Sequence, residues 1–345
     1  MTKKLMLGVI ALGLAGIVSG CGAGKPRLHL YTWADYVDPA LVKQFEKEFN
    51  CRVVIDTFDS NEAMFAKLQA GATGYDLIIP SSYMIITMNR QGMLQPINKE
   101  LIPNLKYVDP DHLKYAKDKD MDHSVPYMVG HTGIAYLESR VENVEPSWAM
   151  FDREDLRGRI TLLNDMRETI GAALKFLGYS LNTTNENELA EARDVVIRWK
   201  RNIAKFDNEQ YKVGLASGAF LLVQGYSGDI VQVMEDNEDI VFVTPQEGTS
   251  TFSDDFVIPN TAKQVELAHA YINFMHDPEN AAANIEYIAY LCPNIGAYEL
   301  LSDEIKEDPT IFMDPEIRAR SEFIDDVGEA LALYTRMWDE IKAAD

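Results

Sequence analysis

From residue 27 onward the chain alternates short apolar runs with longer stretches of helical periodicity. Residues Arg27–Tyr31 alternate as a strand, with Leu28 and Leu30 on one side. Pro39 opens a helical stretch to Phe49 that places Leu41, Val42, Phe45 and Phe49 on one stripe. Arg52–Asp56 predicts a second strand. Asn61–Ala70 predicts a second helix, stopped by Gly71, and Asp76–Pro80 a short buried strand. This βαβαβ order predicts a parallel sheet with helices on both faces.

The pattern continues beyond a middle portion that starts near His131. Thr132–Tyr136, Ile160–Leu163, Phe220–Val223, Asp239–Val243 and Phe256–Ile258 read as strands. Helices are predicted at Thr169–Leu177 and Ile230–Glu235, and at Glu186–Phe206, where Leu189, Ala192, Val196, Trp199 and Ile203 form one stripe. Further helices are predicted at Val265–Met275, Pro278–Ala289 and Val327–Ala343. No internal repeat or low-complexity linker interrupts them.

The first 21 residues follow another rule. Lys3 and Lys4 precede an apolar run from Leu5 to Val18, and Ser19, Gly20 and Cys21 close it. A basic start, a short apolar core and small residues make a secretory signal over 1–20. Its core is shorter than the roughly 20 residues that span a bilayer. The Val18–Cys21 ending resembles the bacterial lipobox. Cys21 is therefore the expected lipidated first residue, with 21–26 as the linker from a lipid anchor. The plainer alternative is a cleaved signal with a coincidental cysteine.

The remaining chain of about 325 residues exceeds one ordinary core, so two domains are expected. The full chain's 54 acidic residues against 32 lysines and arginines give a net charge of −22, and cleavage before Cys21, which removes Lys3 and Lys4, takes this to −24. That balance argues against nucleic acid and tilts towards a cationic partner, though solubility alone could explain it. Cys51 and Cys292 permit one disulfide in an oxidising compartment; two buried thiols are the preferred reading. Neither the cysteines nor the six histidines show zinc spacing, and no metal or cofactor is expected.

In open α/β sheets, ligands sit in loops beyond the carboxyl ends of strands. Those loops hold Trp33, Asp35 and Tyr36, then Ser81 and Tyr83, then Asp165 and Glu168. Tyr226 and Asp229 follow, then Phe252 and Asp254 in an expected loop at 249–255. Carboxylates take ammonium groups through charge-assisted hydrogen bonds. Aromatic faces hold a methylene chain and add cation–π attraction. With Tyr290 as a further wall, the set suits a flexible di- or polyammonium ligand. Each residue also has a blander reading. Asp165 and Glu168 fit a capping box, Trp33 and Tyr36 fit core packing, Asp254–Asp255 fits a solvated turn, and Ser227–Asp229 fits a helix start.

The motifs Leu30–Tyr36 (LYTWADY), Ser60–Glu62, Ala66–Leu68, Tyr75–Leu77, Pro80–Ser81 with Tyr83, and Ser124–Tyr127 occur in this order. They are followed by Asp165–Glu168 (DMRE), Leu177–Ser180, Asn182–Thr184, Ile258–Pro259, Pro293–Asn294 and Asp326–Gly328. The ordered set resembles the polyamine-binding proteins of bacterial ABC importers, over essentially all of the chain after the signal. The resemblance implies an α/β, two-lobed periplasmic-binding-protein (Venus flytrap) fold with a central ligand cleft. It implies lobe one at 27–130 and 253–298, and lobe two at 131–252 and 299–345. It also implies that Trp33, Tyr36, Ser81, Tyr83, Asp165, Glu168, Tyr226, Phe252, Asp254 and Tyr290 bind the ligand, with a membrane permease as partner and no catalysis. Tyr226 stands where the family usually has tryptophan. Ile324 stands where the spermidine type has glutamine, and Asp229 matches an acid of the putrescine type, so the expectation leans towards putrescine. The expected protein is a periplasmic, lipid-anchored monomer that delivers polyamines to its permease. Two rivals are an extracellular hydrolase using paired carboxylates and a surface lipoprotein that binds a protein or another cation.

Overall fold

The computed structural model describes residues 24–344. The expected signal segment and Cys21 lie outside the described residues. Ten strands form one continuous sheet path: β1 (Arg27–Thr32), β2 (Arg52–Thr57), β3 (Leu77–Ile78), β4 (Ser124–Leu137), β5 (Ile160–Leu162), β6 (Ile203–Phe206), β7 (Leu222–Tyr226), β8 (Ile240–Val243), β9 (Ser250–Val257) and β10 (Glu322–Phe323). The order is β2-β1-β3-β9-β4-β7-β5-β6, with β8 also on β4 and β10 also on β9.

The opening βαβαβ unit is parallel, as its alternation predicts. β1 pairs with β2 from Arg27↔Arg52 to Thr32↔Thr57, and with β3 at Leu30↔Leu77. Its helices begin where the sequence supplies caps. Asp38 accepts from the Ala40 amide at 2.7 Å before the helix Pro39–Glu48, and Ser60 accepts from the Ala63 amide at 3.2 Å before Asn61–Gln69. Such a cap contributes about 1 kcal/mol.

The sheet then departs from the parallel expectation. β9 runs antiparallel to β3 and β4, and β4 runs antiparallel to β7 and β8. β4 is 14 residues long and buried throughout. Its first half, Ser124–His131, pairs with β9; its second half, Thr132–Leu137, pairs with β7 and β8. One strand thus joins the two halves of the sheet. A run buried on both faces lacks the polar alternation that announces a strand, and only Thr132–Tyr136 of it was legible.

Two large cores sit on either side, and a third, smaller cluster around Met64, Tyr83 and Met88 also takes in Leu181 and Ile324. One gathers residues from Ile134 to Ile240 and from Val327 to Ile341, around Trp148, Phe151 and Trp199. The other gathers Leu28–Met128 and Phe252–Ile311, around Phe45, Tyr127 and Tyr271. Truncating a side chain such as the fully buried Phe45 to alanine should cost about 3–5 kcal/mol. Leu301, Ile311 and the partly buried Phe312 still pack in the second of these cores, so the chain stays with the first lobe past the expected crossing at 298. Cys51 and Cys292 are buried free thiols, and burial pushes Cys292 up to about 12.

Three other expectations are corrected. The helix beginning at Glu186 ends at Lys200, and Ile203–Phe206 is β6, paired in parallel with β5; Ile203 fits either period, and strand pairing decides it. The expected loop at 249–255 is strand β9. Gln224–Tyr226 extends β7, and the next helix starts at Ser227.

Candidate ligand-binding site

A cleft between the two cores encloses about 700 Å³, its mouth included. Every candidate from the sequence lines it except Asp35. Asp35 takes a left-handed backbone (φ 51°), which Asp tolerates. This turn separates Trp33 from Tyr36 and leaves the Asp35 side chain 66% exposed outside the cleft.

Asp254 is supplied by β9, not by a loop. Alternation along the strand sends Ser250, Phe252 and Asp254 to one face and Ser253 and Asp255 to the other. Both aspartates are buried, so the solvated-turn reading fails. Tyr36 donates to Asp254 Oδ2 at 2.6 Å, and Ser81 donates to Oδ1 at 2.6 Å. Asn61 holds Ser81 in place: its amide nitrogen donates to Ser81 Oγ, and its oxygen accepts from the Ser81 backbone, both at 3.0 Å. Burial pushes Asp254 up to about 7 despite these two donors. Among the described residues it has hydroxyls for company and no cation.

The acidic pair lies across the cleft at the start of the helix Met166–Phe176. Asp165 is its N-cap, accepting from the Arg167 and Glu168 amides at 2.9 and 3.0 Å. The capping reading is therefore right for Asp165, which also faces the cleft. Glu168 does not complete a box. Its carboxylate accepts from Thr132 at 3.0 Å and from Ser250. Burial, with Asp165 adding to it, pushes Glu168 up to about 8.

Asp229 differs. The N-cap of its helix is Tyr226, and Asp229 sits in the first turn. Tyr211 and Tyr290 donate to its two oxygens at 2.9 and 3.0 Å, and the Lys212 ammonium lies 3.6 Å away. Lys212 also reaches Asp35 at 3.2 Å and Glu209 at 3.9 Å. Burial works against its charge, but Asp229, Asp35 and Glu209 outweigh burial and hold it above the usual lysine value. Asp229, expected from the sequence to take a ligand charge, already has a cation beside it.

The walls are aromatic. Tyr36 meets Tyr290 edge-on at 5.3 Å, Tyr226 meets Phe252 edge-on at 5.7 Å, and Trp33 packs on Phe58. Tyr290 needs two glycines. A Cβ on Gly228 would lie 2.4 Å from its ring, and one on Gly130 would lie 2.5 Å from Phe252 and 2.8 Å from Tyr290. Tyr83 donates to the carboxylate of Glu62 at 3.1 Å. Ile324 also lines the cleft, buried and apolar.

Further residues line the cleft without a signal in the sequence: Asn61, Arg167 and Lys212 inside, and Asp59, Asn208 and Glu209 at the rim. Asn61 lies within the Ser60–Glu62 motif, which by itself gives it no role in the site. Arg167 is buried and turned away, donating to the Asp325 carbonyl and to Asn182, both at 2.8 Å. Lys212 lies on the helix Gln210–Ala216, which no pattern announced. Among the described residues no helix is long and apolar enough to cross a membrane, and no group of three side chains could hold a metal.

An inter-core cleft with buried, hydroxyl-bonded carboxylates and aromatic walls defines a two-lobed binding protein. The chain belongs to the bacterial extracellular solute-binding protein family, whose model matches residues 40–313. It is 34% identical over 341 residues, 98% of this chain and 97% of the relative, to the spermidine/putrescine-binding periplasmic protein of Escherichia coli. A putative spermidine/putrescine ABC transporter structure from Listeria monocytogenes superposes with a TM-score of 0.88 at 37% identity, covering 92% of this chain and 99% of that one. The TpPotD lipoprotein of Treponema pallidum superposes at 0.82 with 35% identity, covering 91% and 99%. The resemblance read from the motifs thus holds, and so does the two-lobed fold. Family membership makes this a substrate-binding protein and not an enzyme, so the hydrolase rival is set aside.

Proposed function

We propose that this protein captures a small polyamine in the inter-lobe cleft, putrescine in preference to spermidine, and presents it to the permease of an ABC importer. The observation that carries this reading is Asp254: a buried carboxyl that the Tyr36 and Ser81 hydroxyls bond, beside Tyr36, Phe252 and Tyr290. One ammonium sits against Asp254, the other against Asp165 and Glu168. The methylenes lie between Trp33, Tyr36, Tyr83, Tyr226, Phe252 and Tyr290. Ser81 orients Asp254. Ile324 disfavours spermidine, because an ammonium desolvated there finds no partner.

The lobes close over the ligand as periplasmic binding proteins do, with crossings near residues 130 and 252. The protein works in the periplasm as a monomer, tethered by lipid on Cys21. The relatives' names support the compartment and the ligand class. Calorimetric titration with putrescine, cadaverine, spermidine and spermine tests the function. Stoichiometric binding of putrescine is expected, and no heat from any of the four at millimolar concentration would overturn the reading. Mass spectrometry of the mature N-terminus tests the anchor; a chain beginning at Ala23 or later without lipid would remove it.

A further inference from the structure

Lys212 sits where a ligand's charge would otherwise go. Its side chain is 11% exposed, and its ammonium lies 3.6 Å from Asp229, which lines the cleft. The helix Gln210–Ala216 that carries it packs in the second-lobe core through Tyr211 and Leu215. Asp35, 3.2 Å from the ammonium, follows β1 of the first lobe. A primary ammonium at the end of an aliphatic stem, held by a carboxylate in a partly desolvated cleft, is the chemistry of a polyamine terminus.

We propose that Lys212 is a specificity-determining residue: an internal ammonium that occupies the Asp229 end of the cleft and restricts the ligand to a short diamine between Asp254 and the Asp165–Glu168 pair. This deepens the polyamine reading and rests on it. The oxygens of Asp229 are already taken by Tyr211, Tyr290 and Lys212. A third ligand ammonium arriving there meets a like charge instead of a free carboxylate, which is discrimination by a built-in repulsive element. Arg167 does not play this part, since its guanidinium is bound to Asp325 and Asn182. Asp35 and Glu209 hold Lys212 from the outer side.

The test is calorimetric titration of the full chain with putrescine and spermidine, comparing wild type, Lys212→Met, Lys212→Arg and Asp35→Asn. Lys212→Met keeps the apolar stem and removes the charge. It should raise the spermidine-to-putrescine affinity ratio by at least about tenfold, the effect of freeing one carboxylate for a third ammonium. Lys212→Arg should keep the wild-type ratio. Asp35→Asn, outside the cleft, should move the ratio the same way as Lys212→Met but less, by loosening the lysine. A ratio within about twofold of wild type in folded Lys212→Met overturns the proposal. If that variant does not fold, an unchanged ratio in Asp35→Asn overturns it instead. Wild type that binds neither amine refutes the polyamine reading itself, a different outcome from a fixed ratio.

Discussion

Asp254 and Asp229 line the same cleft with the same functional group, and their surroundings are opposite. Among the described residues Asp254 has two hydroxyl donors and no cation, and burial lifts it to about 7. Asp229 has two tyrosine hydroxyls and a lysine ammonium at 3.6 Å. Bringing a cation to Asp254 removes an uncompensated desolvation cost, whereas bringing one to Asp229 competes with a cation already present. An acid in a cleft is thus a ligand site only to the extent that the protein has left it unpaired.

The largest effect that can break this contrast is Asp254→Asn. The amide keeps the shape but leaves a buried ammonium without its counter-charge, a loss of roughly 2–5 kcal/mol. Putrescine affinity should fall by at least about thirtyfold, since tenfold is 1.4 kcal/mol. Titration showing a change within twofold would remove Asp254 from the anchoring role and erase the contrast.

How far these two environments were legible depends on how local their causes are. The parallel unit was readable because Leu28, Leu30 and the capped helices after Asp38 and Ser60 follow periods of two and 3.6 along a few residues. Asp165 and Glu168 were readable as a motif, but their separate fates were not. Which of them caps the helix and which bonds Thr132 and Ser250 is decided by β4 and β9, distant in sequence. β9 reads as a loop from its sequence because Ser250, Ser253, Asp254 and Asp255 are polar yet buried, a burial that their cross-strand partners explain. Lys212 was invisible: a lysine on a short unpatterned helix becomes part of the cleft only when the lobes meet.

The next effect is on pH. Burial raises Asp254 to about 7 and Glu168 to about 8. Their folded values lie above the ordinary carboxyl values, so their contribution to stability is fully present below about pH 4 and is lost as pH rises through 7 to 8. An ammonium favours the ionised forms, so its binding releases protons. Putrescine affinity should therefore be at least about tenfold weaker at pH 6 than at pH 8. The thermal shift on binding should grow over the same window. Asp254→Asn should remove part of this slope. A flat affinity between pH 6 and 8 in wild type would show that the two carboxyls are already ionised in the empty cleft.

The smallest effect sharpens the Asp229 side. Tyr290 does two things: its hydroxyl donates to Asp229 at 3.0 Å, and its ring lies against Gly228 and Gly130 as a cleft wall. Tyr290→Phe removes only the first. Asp229 keeps Tyr211 and Lys212, so the lost bond leaves no buried charge stranded, and the cost is that of one hydrogen bond to a charged group with the others retained, about 1 kcal/mol or less. Putrescine affinity should change by less than about fivefold. Tyr290→Ala removes the wall as well and should cost distinctly more, through lost aromatic contact with the methylenes and with Tyr36. The pair of variants separates wall from hydroxyl. If Tyr290→Phe is as damaging as Tyr290→Ala, the hydroxyl at Asp229 carries the binding energy. Asp229 would then be a primary anchor like Asp254, and the distinction between a paired and an unpaired acid would fail at the residue where it was drawn.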